Sequence, residues 1–269
     1  MSYHHIISGC WRTCLRCIID GCPMRIGLLF ILALWTLPVS SQTLRIMGAD
    51  DGFLPFYYGK TLDKGIFVEV INEFSLETGI ASEFRLMARK RQAWALENGL
   101  ANAVFANPRW MPSPDRMHAV GPVLTWRDRV YAQPGLKPDS FDELQGRICL
   151  RKWFVYSDQL EQRMGADLVR LHAYNVQHML RMFLSKRCDY VVMNETEFRF
   201  LALQGNFDPT TYTTDLVDAE WPVYLGILKT EAALIEAVEA FFATHKIDVD
   251  AMLPTLPPPD RPISIQSAN

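Results

Sequence analysis

Two short segments combine cationic side chains with aromatic rings, and each follows a predicted strand. The segments are Asn107–Arg116, which contains Arg109, Trp110 and Arg116, and Lys152–Ser157, which contains Lys152, Trp153 and Tyr156. Guanidinium and ammonium groups bind anions through charge-assisted hydrogen bonds, and aromatic rings pack against flat apolar groups. The residue types therefore fit recognition of an anionic or aromatic small solute.

Motifs for covalent or cofactor chemistry are missing from the sequence. It contains no nucleophile elbow, no Gly-rich phosphate loop and no metal-ligand spacing in the region predicted to fold. Four histidines are scattered along that region, at positions 118, 172, 178 and 245. We therefore expect a binding protein without a cofactor, a metal or catalytic residues.

The N-terminus is typical of a leader. A positive charge at Arg25 precedes the apolar run Ile26–Leu37, and the sequence PVSS precedes Gln42. A charged start, a short apolar run and small residues before a cleavage site indicate a secretory signal peptide. A short membrane anchor is the alternative, although the run is shorter than the roughly 20 residues of a spanning helix. We interpret 1–23 as a misassigned extension and 24–41 as the signal peptide of a periplasmic protein.

Charge and cysteine content narrow the class further. The formal net charge of −3 argues against nucleic acid as a partner, because phosphate binding needs clustered Lys and Arg. Four cysteines lie in the presumed extension and would be removed, so no zinc site is expected there. Cys149 and Cys188 remain, and in an oxidising compartment they form either one disulfide or two buried thiols.

Strand and helix patterns alternate, and the alternation occurs twice. The first set of strands covers 43–50, 81–88 and 101–107, with helices at 65–79 and 91–99. The second set of strands covers 125–135, 147–151, 167–175, 188–195 and 221–230, with helices at 157–165, 176–187, 196–205 and 230–246. Such alternation predicts parallel sheets with crossover helices, an α/β fold of two lobes.

The predicted lobes are joined by two crossings of the chain. We expect lobe one to contain 42–131 and 223–252, lobe two to contain 132–222, and a flexible proline-rich tail to occupy 253–269. Gly121-Pro122 is expected to break the chain before a strand over Leu124–Ala132 carries it into lobe two. Ligands of open α/β sheets bind beyond the carboxyl ends of the strands, which directs attention to the residues that follow each strand.

The chain resembles the family 3 periplasmic solute-binding proteins of bacterial ABC importers, which include amino-acid binders. The matching segments are LRIMGADDGFLPF, GIFVEVINEF, ENGLANAVFA, SPDRMHAVGPVLTWRDRVYAQPG, FDELQGRICLR and LSKRCDYVVMNE. The resemblance covers roughly residues 44–246. It implies a type II periplasmic-binding-protein-like fold, a small-molecule ligand, an importer permease as partner and a monomer.

The resemblance also assigns residues of lobe one. Arg116 matches the arginine that clamps the ligand carboxylate in amino-acid binders, and Phe53 matches an aromatic residue that packs on the ligand. Asp50 is the acid that ends the first strand. Arg116 could instead face water, and Phe53 could be a core residue of its loop.

Lobe two departs from the amino-acid-binding pattern. Asn194 stands where those proteins have the acid that binds the ligand ammonium, and Lys152–Ser157 lacks the glycine of their carboxylate-binding loop. The bulky side chains of this loop either narrow the cleft or belong to the core of lobe two. The candidate ligand-binding residues are therefore Asp50, Phe53, Asn107, Arg109, Trp110, Arg116, Lys152, Trp153, Tyr156 and Asn194.

These residues predict a protein that captures a small polar or anionic solute between two closing lobes for an ABC importer. One alternative is a periplasmic sensor, or a degenerate homologue without a transport role. Another is a dehydratase-like enzyme on the same scaffold, with Glu195 or Asp50 as the acid.

Overall fold

The computed structural model describes residues 42–48, 53–59, 61–152, 154–165 and 167–259. The expected leader and the candidate residues Asp50 and Trp153 lie outside the described residues. Across the described ranges, none of the helices combines the length and the apolar character needed to cross a membrane.

Eight strands form one sheet whose order is symmetric about its centre. The strands are β1 (Thr43–Gly48), β2 (Ala81–Leu86), β3 (Ala103–Ala106), β4 (Met117–Ala132), β5 (Gly146–Arg151), β6 (Leu168–Ala173), β7 (Tyr190–Asn194) and β8 (Thr213–Leu228). They run in the order β2-β1-β3-β8-β4-β7-β5-β6. Each outer set of three strands is parallel, and each is antiparallel to the crossing strand beside it.

Seven α-helices flank the sheet in the described chain. They are α1 (Ile66–Thr78), α2 (Gln92–Glu97), α3 (Asp158–Arg163), α4 (Val176–Leu184), α5 (Glu195–Gly205), α6 (Ala232–Thr244) and α7 (Val249–Met252). The apolar spacing that predicts the inner face of α4 is confirmed, because Met179, Leu180, Met182 and Phe183 are all buried. Helix α1 ends at Gly79, whose φ of 71° is the left-handed conformation that favours glycine.

The two 16-residue strands β4 and β8 connect the lobes. Residues Met117–Val120 of β4 pair with the end of β8, which also pairs with β3, whereas Asp128–Ala132 pairs with β7. Strand β4 therefore already belongs to the second lobe at Asp128, upstream of the predicted boundary after residue 131. The expected architecture of two α/β lobes with two crossings is confirmed.

Strand β4 begins seven residues before the predicted start at Leu124. The Gly-Pro pair does not end the strand but lies within it, at a register shift between Val120 and Leu124. Gly121 has a φ of 122°, and a Cβ there would lie 2.6 Å from the main-chain nitrogen of Val123. A bulge of this kind absorbs the proline, which cannot donate to the ladder.

The proline-rich end of the chain is packed as far as residue 257. Leu253 and Leu256 are 2% and 6% exposed and join the core that contains Phe56 and Phe200. The hydroxyl of Tyr58 donates a hydrogen bond of 2.5 Å to the carbonyl of Pro257. The expectation of a flexible tail is therefore wrong for 253–257, because two leucine side chains there pack in the core despite the neighbouring prolines. Residues 260–269 lie outside the described residues.

Cys149 of β5 and Cys188, just before β7, lie in disulfide contact. Both side chains are fully buried, and their Cα atoms are 5.7 Å apart, a spacing usual for disulfides. The pair links neighbouring elements inside the second lobe.

Candidate functional site

The carboxyl ends of the outer strands meet the middle of the crossing strands. Ala106 at the end of β3 pairs with Tyr224, and Asn194 at the end of β7 pairs with Asp128. In α/β folds this edge is where ligands bind. The candidate site is therefore built around residues 126–128 of β4 and the loops that follow β1, β3, β5 and β7.

A stack of aromatic rings lies on the first-lobe side of this site, and two of its rings, Phe56 and Trp126, are buried core residues. Phe53 lies 4.9 Å from Trp126, centroid to centroid, with ring planes only 12° apart. Phe56 packs against both, at 5.5 and 5.2 Å. Phe53 remains half-buried. The predicted aromatic residue Phe53 therefore stacks on Trp126, which the sequence analysis assigns only to a crossing strand.

Asp128 lies two residues beyond Trp126, and alternate residues share one face of a strand. The Trp126 indole Nε1–H donates a hydrogen bond of 2.8 Å to Asp128 Oδ1. Burial raises the pKa of Asp128 to about 7, with a further increase from the nearby Asp218 carboxylate, while the indole hydrogen bond and Arg151 lower it. Asp128 is therefore an acid that titrates near neutral pH.

Asp218 of β8 accepts hydrogen bonds from Ser157. The Ser157 hydroxyl donates at 2.6 Å, and its main-chain N–H lies 3.2 and 3.3 Å from the two carboxylate oxygens. Ser157 also caps α3 by accepting a hydrogen bond from Leu160 N–H. Burial raises the pKa of Asp218, and the bonds from Ser157 oppose that rise. The N–H and the hydroxyl of Ser157, at the start of α3, thus donate to a carboxylate of the protein itself, that of Asp218.

The loop after β5 directs its predicted site residues in different directions. The Arg151 guanidinium lies 4.2 Å above the ring of Phe154, and the Lys152 ammonium lies 5.3 Å from the ring of Tyr174. Tyr156 is 9% exposed within the second-lobe core, and its hydroxyl accepts a hydrogen bond from Arg151 N–H. Tyr156 is thus packed in the second-lobe core, the alternative that the sequence leaves open for this loop, and a ligand contact there stays a prediction.

The predicted polar residues after β3 brace the crossing. Asn107 Oδ1 accepts a hydrogen bond from Arg109 N–H, while its Nδ2 donates to the carbonyl of Pro222 in β8. Trp110 packs edge-on against Trp221 at 4.7 Å. The side chain of Arg109 is exposed. These residues lie at the predicted edge, where Asn107 and Trp110 connect the loop to β8.

The structure corrects the expected position of Arg116 at the lip of the cleft. Met117 pairs with Leu228, whereas the carboxyl end of β3 pairs with Tyr224, four residues earlier in β8. By this register, the main chain at Arg116 lies roughly 13 Å from the site edge. The reason is that the chain runs back along the sheet after residue 110 before β4 begins. Arg116 is exposed, and its carbonyl accepts a hydrogen bond from Lys229 N–H.

Asn194 is a helix cap. Its side-chain oxygen accepts hydrogen bonds from the N–H groups of Thr196 and Glu197, and its Nδ2 donates to the carbonyl of Arg127. Asn194 is 3% exposed, and both its side-chain oxygen and its side-chain nitrogen bond within the protein. The start of α5 thus uses this side chain for its own N–H groups, and a ligand contact at Asn194 stays a prediction.

The opposite face of the crossing carries an ion network. Arg127 lies 2.8 Å from Glu220 and 3.6 Å from Glu195, and Arg129 lies 3.5 Å from Glu195. The hydrogen bond from Arg127 holds the pKa of Glu220 below its usual value. The charges on this face are thus paired, which distinguishes it from the face of Asp128.

A separate group of metal-ligating residues lies on the first lobe. Among the described residues, Glu73, Glu77 and His245 hold three ligand atoms within 4.8 Å of one another. His245 Nε2 is 3.0 Å from Glu77, and the ring stacks on Phe241. The group serves as an ion pair between α1 and the end of α6. His245 also lines a groove of about 600 Å³, and the residues that line this groove do not belong to the candidate site.

Sequence reasoning missed Trp126, Asp128 and Asp218. The alternating run TWRDRVYA does contain a signal, since its period of two places Trp126 and Asp128 on one face. The sequence does not give the strand register of β4, which places this face beside the carboxyl ends of β5 and β7.

Comparison with known proteins supports the architecture. No protein-family model matches the chain, and no curated protein matches its sequence. Among solved structures, the chain is similar to the ancestral amino-acid-binding protein AncCDT-1, a precursor of cyclohexadienyl dehydratase, with 18% identity and a TM-score of 0.57 over 79% of this chain and 94% of that one.

Two further structures have the same architecture. A histidine kinase sensor domain with similarity to periplasmic binding proteins is 18% identical, with a TM-score of 0.54 over 75% of this chain and 89% of that one. The substrate-binding protein of an amino acid ABC transporter is 16% identical, with a TM-score of 0.50 over 75% and 92%. The chain therefore has the two-lobed, periplasmic-binding-protein-like fold that its sequence predicts.

Proposed function

We propose that the chain is a periplasmic solute-binding protein that captures a small polar or anionic solute between its lobes and delivers it to an ABC-type importer. The observation that carries the proposal is the convergence of Phe53, Trp126, Asp128 and Arg151 at the carboxyl edges of both lobes. An aromatic wall beside a few polar groups is the usual composition of a small-molecule site. The amino-acid-binding neighbours support a solute of similar size.

Closure of the lobes about the two crossings would be the mechanism. Each crossing strand contains a proline, Pro122 or Pro222, and the ladder between the strands shifts register around Pro122, between Val120 and Leu124. We place the hinge at 121–128 and 219–223. A solute that contacts both lobes would stabilise the closed state, because only that state offers both sets of contacts.

The proposal is tested by native mass spectrometry of the purified protein, followed by calorimetry with whatever solute is found. A co-purified small organic solute that rebinds with one-to-one stoichiometry is the expected result. A thermal-shift screen of carboxylates, amino acids and aromatic acids covers the case of an empty protein. Absence of binding across this screen would contradict the proposal.

A sensor that delivers no solute is the second candidate, supported by the likeness to a histidine kinase sensor domain. The two roles differ in their partner. A purified importer permease whose ATPase activity rises with the loaded protein would favour transport. No such rise, together with contact to a kinase, would favour sensing.

Dehydratase-like activity is the third candidate, supported by the titration of Asp128 near neutral pH, which suits a general acid. Product formation from prephenate-like acids, lost in the Asp128→Asn variant, would establish it. We expect none, because the described part of the site offers no paired acid and base free of structural hydrogen bonds.

Location and processing complete the proposal. We expect export through the signal peptide and a mature monomer that begins at Gln42. N-terminal sequencing of protein recovered from the periplasm would test this, and recovery with the membrane fraction would support the anchor instead.

A further inference from the structure

We propose that residues 248–257 form a strap that can be released, and that this strap holds the two lobes at one angle by joining α5 of the second lobe to the loop after β1 of the first. The inference goes beyond solute capture, because it concerns the lobes themselves and applies with any solute or with none. Three features of the described residues carry it: the path of the strap, its contacts with both lobes and its own local structure.

The strap contacts the first lobe, then the second, then the first again. It follows α6, a first-lobe helix whose residues Leu234 and Val238 pack in the core that contains Ile46 of β1. The turn Leu253–Thr255 within the strap packs against α5 of the second lobe. The Pro257 carbonyl then accepts the hydrogen bond from the Tyr58 hydroxyl, in the loop after β1. The end of the chain thus passes between the lobes in addition to the crossings by β4 and β8.

An ion pair positions the beginning of the strap on the second lobe. Arg199 Nη1 of α5 lies 2.6 Å from Asp250 Oδ1 of α7. Both side chains are exposed, and exposed ion pairs contribute little to stability. The pair therefore determines where the strap lies on α5 rather than how tightly it is held.

Apolar side chains hold the strap more tightly. Leu253 and Leu256 are buried in a cluster that contains Phe56 and Tyr58 of the first lobe and Phe200 of the second. The rings of Tyr58 and Phe200 lie 5.7 Å apart, centroid to centroid, so the lobes meet where the strap ends. A change of lobe angle that separates these two rings would take the leucines away from one lobe and expose apolar surface to water, which is unfavourable.

Hydrogen bonds within the strap give it a defined shape. Asp248 caps α7 by accepting a hydrogen bond of 3.0 Å from Ala251 N–H, and the Thr255 hydroxyl donates at 2.8 Å to the Met252 carbonyl. Two prolines within the strap restrict its main chain further. A segment restricted in this way loses less conformational entropy when it docks, which allows so short a strap to hold the lobes.

The strap differs from the two crossing strands in how it is attached to the second lobe. Strands β4 and β8 continue into that lobe at every lobe angle, whereas the strap contacts α5 only through side chains and can leave it. Contacts that exist at one angle favour that angle over the others. A solute that requires a different angle must first release the strap, which lowers its apparent affinity.

The test measures the distance between the lobes by double electron–electron resonance. Spin labels are attached at Leu76→Cys on α1 and Val169→Cys on β6, because both side chains are exposed and belong to different lobes. Cys149 and Cys188 are buried in disulfide contact and are not labelled. With the strap intact, we expect one narrow distribution of distances.

A variant inside the apolar cluster releases the strap. In Leu256→Ser the distribution should broaden or acquire a second peak, because a hydroxyl in this cluster weakens the contact with both lobes. Leu203→Ser is the matched control, since it removes an exposed leucine from α5 and should leave the distribution unchanged. An unchanged distribution in folded Leu256→Ser protein, or an equal change in the control, would overturn the inference.

Two milder variants decide the question if Leu256→Ser does not fold. Tyr58→Phe keeps the ring beside Phe200 and removes the hydrogen bond to Pro257. Arg199→Glu replaces the ion pair with a repulsion, and Asp250→Arg in the same chain restores the attraction. We expect both single variants to broaden the distance distribution and the charge-swapped double variant to narrow it again. An unchanged distribution in both single variants, or no recovery in the double variant, would overturn the inference.

Discussion

The two lobes repeat one strand order, β2-β1-β3 and β6-β5-β7, yet the ends of their strands use polar side chains differently. In the second lobe, Ser157 bonds to Asp218 of β8, Asn194 bonds to the Arg127 carbonyl of β4, and the two residues cap α3 and α5. In the first lobe, Asn107 and Trp110 contact β8 at the crossing. The polar side chains at the site edge of the second lobe thus cap two α-helices, while those of the first lobe connect a short turn to the crossing.

The difference teaches where selectivity can arise. Polar groups that already bond within the protein contribute little to ligand choice, since a ligand would have to replace those bonds. The group with unfilled bonding capacity, Asp128, lies in neither set of loops but on a strand shared by both lobes. In the proposed site, this position would give the crossing, rather than either set of loops, the larger part in ligand selection.

The largest expected effect tests whether the second lobe is held together covalently. A disulfide between Cys149 and Cys188 closes a span of 39 residues, which corresponds to about 4 kcal/mol of unfolding free energy on the loop-entropy account. Thiol titration of the unfolded, unreduced mature protein should find no free thiol, and reduction should lower the denaturation midpoint. Two free thiols would contradict the bridge.

The next effect tests whether Asp128 is placed for binding at the expense of stability. A buried acid with a raised pKa destabilises the fold above that pKa, and the penalty vanishes as the pH falls below its unfolded value of 3.8. Asp128→Asn should therefore raise the unfolding free energy at pH 8 by roughly 2–4 kcal/mol, and by little near pH 4. Urea denaturation at both pH values measures this. A loss of stability at pH 8 would contradict it.

A third effect compares the internal bonds of the two lobes. Ser157→Ala removes both the cap of α3 and a donor to a buried carboxylate, which should cost about 1–3 kcal/mol. Asn107→Ala is the counterpart in the first lobe and should lower the unfolding free energy by less. Asn107 is more exposed than Asp218, the carboxylate that loses its donor in Ser157→Ala, and it caps a single short turn. Equal losses in urea denaturation would remove the contrast between the lobes.

A smaller effect concerns the ion pair that joins α1 to the end of α6. A main-chain hydrogen bond to Phe241, aided by the charges of Glu77 and Glu73, raises the pKa of His245. Charged His245 should therefore stabilise the first lobe fully below its unfolded pKa near 6.5, and this contribution should disappear as the pH rises through the folded value. His245→Gln should remove that part of the pH dependence of the melting temperature. An identical pH profile would show that the pair contributes nothing.

The smallest expected effect is on Arg116, the anion clamp implied by sequence resemblance. Because Arg116 lies away from the site edge, Arg116→Ala should change the affinity for a carboxylate identified in the screen less than twofold. A tenfold or greater loss would restore the carboxylate clamp and move the site toward the start of β4.

The spacing of apolar residues was enough to predict the helices and strands that bury one face. The apolar spacing of α1 and α4, and the runs that form β1, β5 and β7, were predictable because each packs on a single core. Strands β4 and β8 were predicted at about half their length, since Gly121-Pro122 suggests a break, and a bulge that absorbs it depends on pairing with β8.

The site was less predictable than the fold for a related reason. Arg116 and Asn194 have the residue types and spacing of ligand contacts, yet the path of the chain after residue 110 and the needs of α5 decide their roles. Asp128 looked like one of several charges in a crossing strand. Its importance depends on which strand ends it meets, and that register is a property of the whole sheet.

The prolines of the two crossing strands have a consequence for how the molecule exchanges its amide hydrogens. Neither Pro122 nor Pro222 has an N–H, so the hydrogen-bond ladder is thinnest where β4 and β8 leave one lobe for the other. Sheets usually exchange fastest along their outer strands. Here the amides that take up deuterium first should lie in the middle of the sheet, between two protected halves. Their exchange should slow when a ligand holds those halves together.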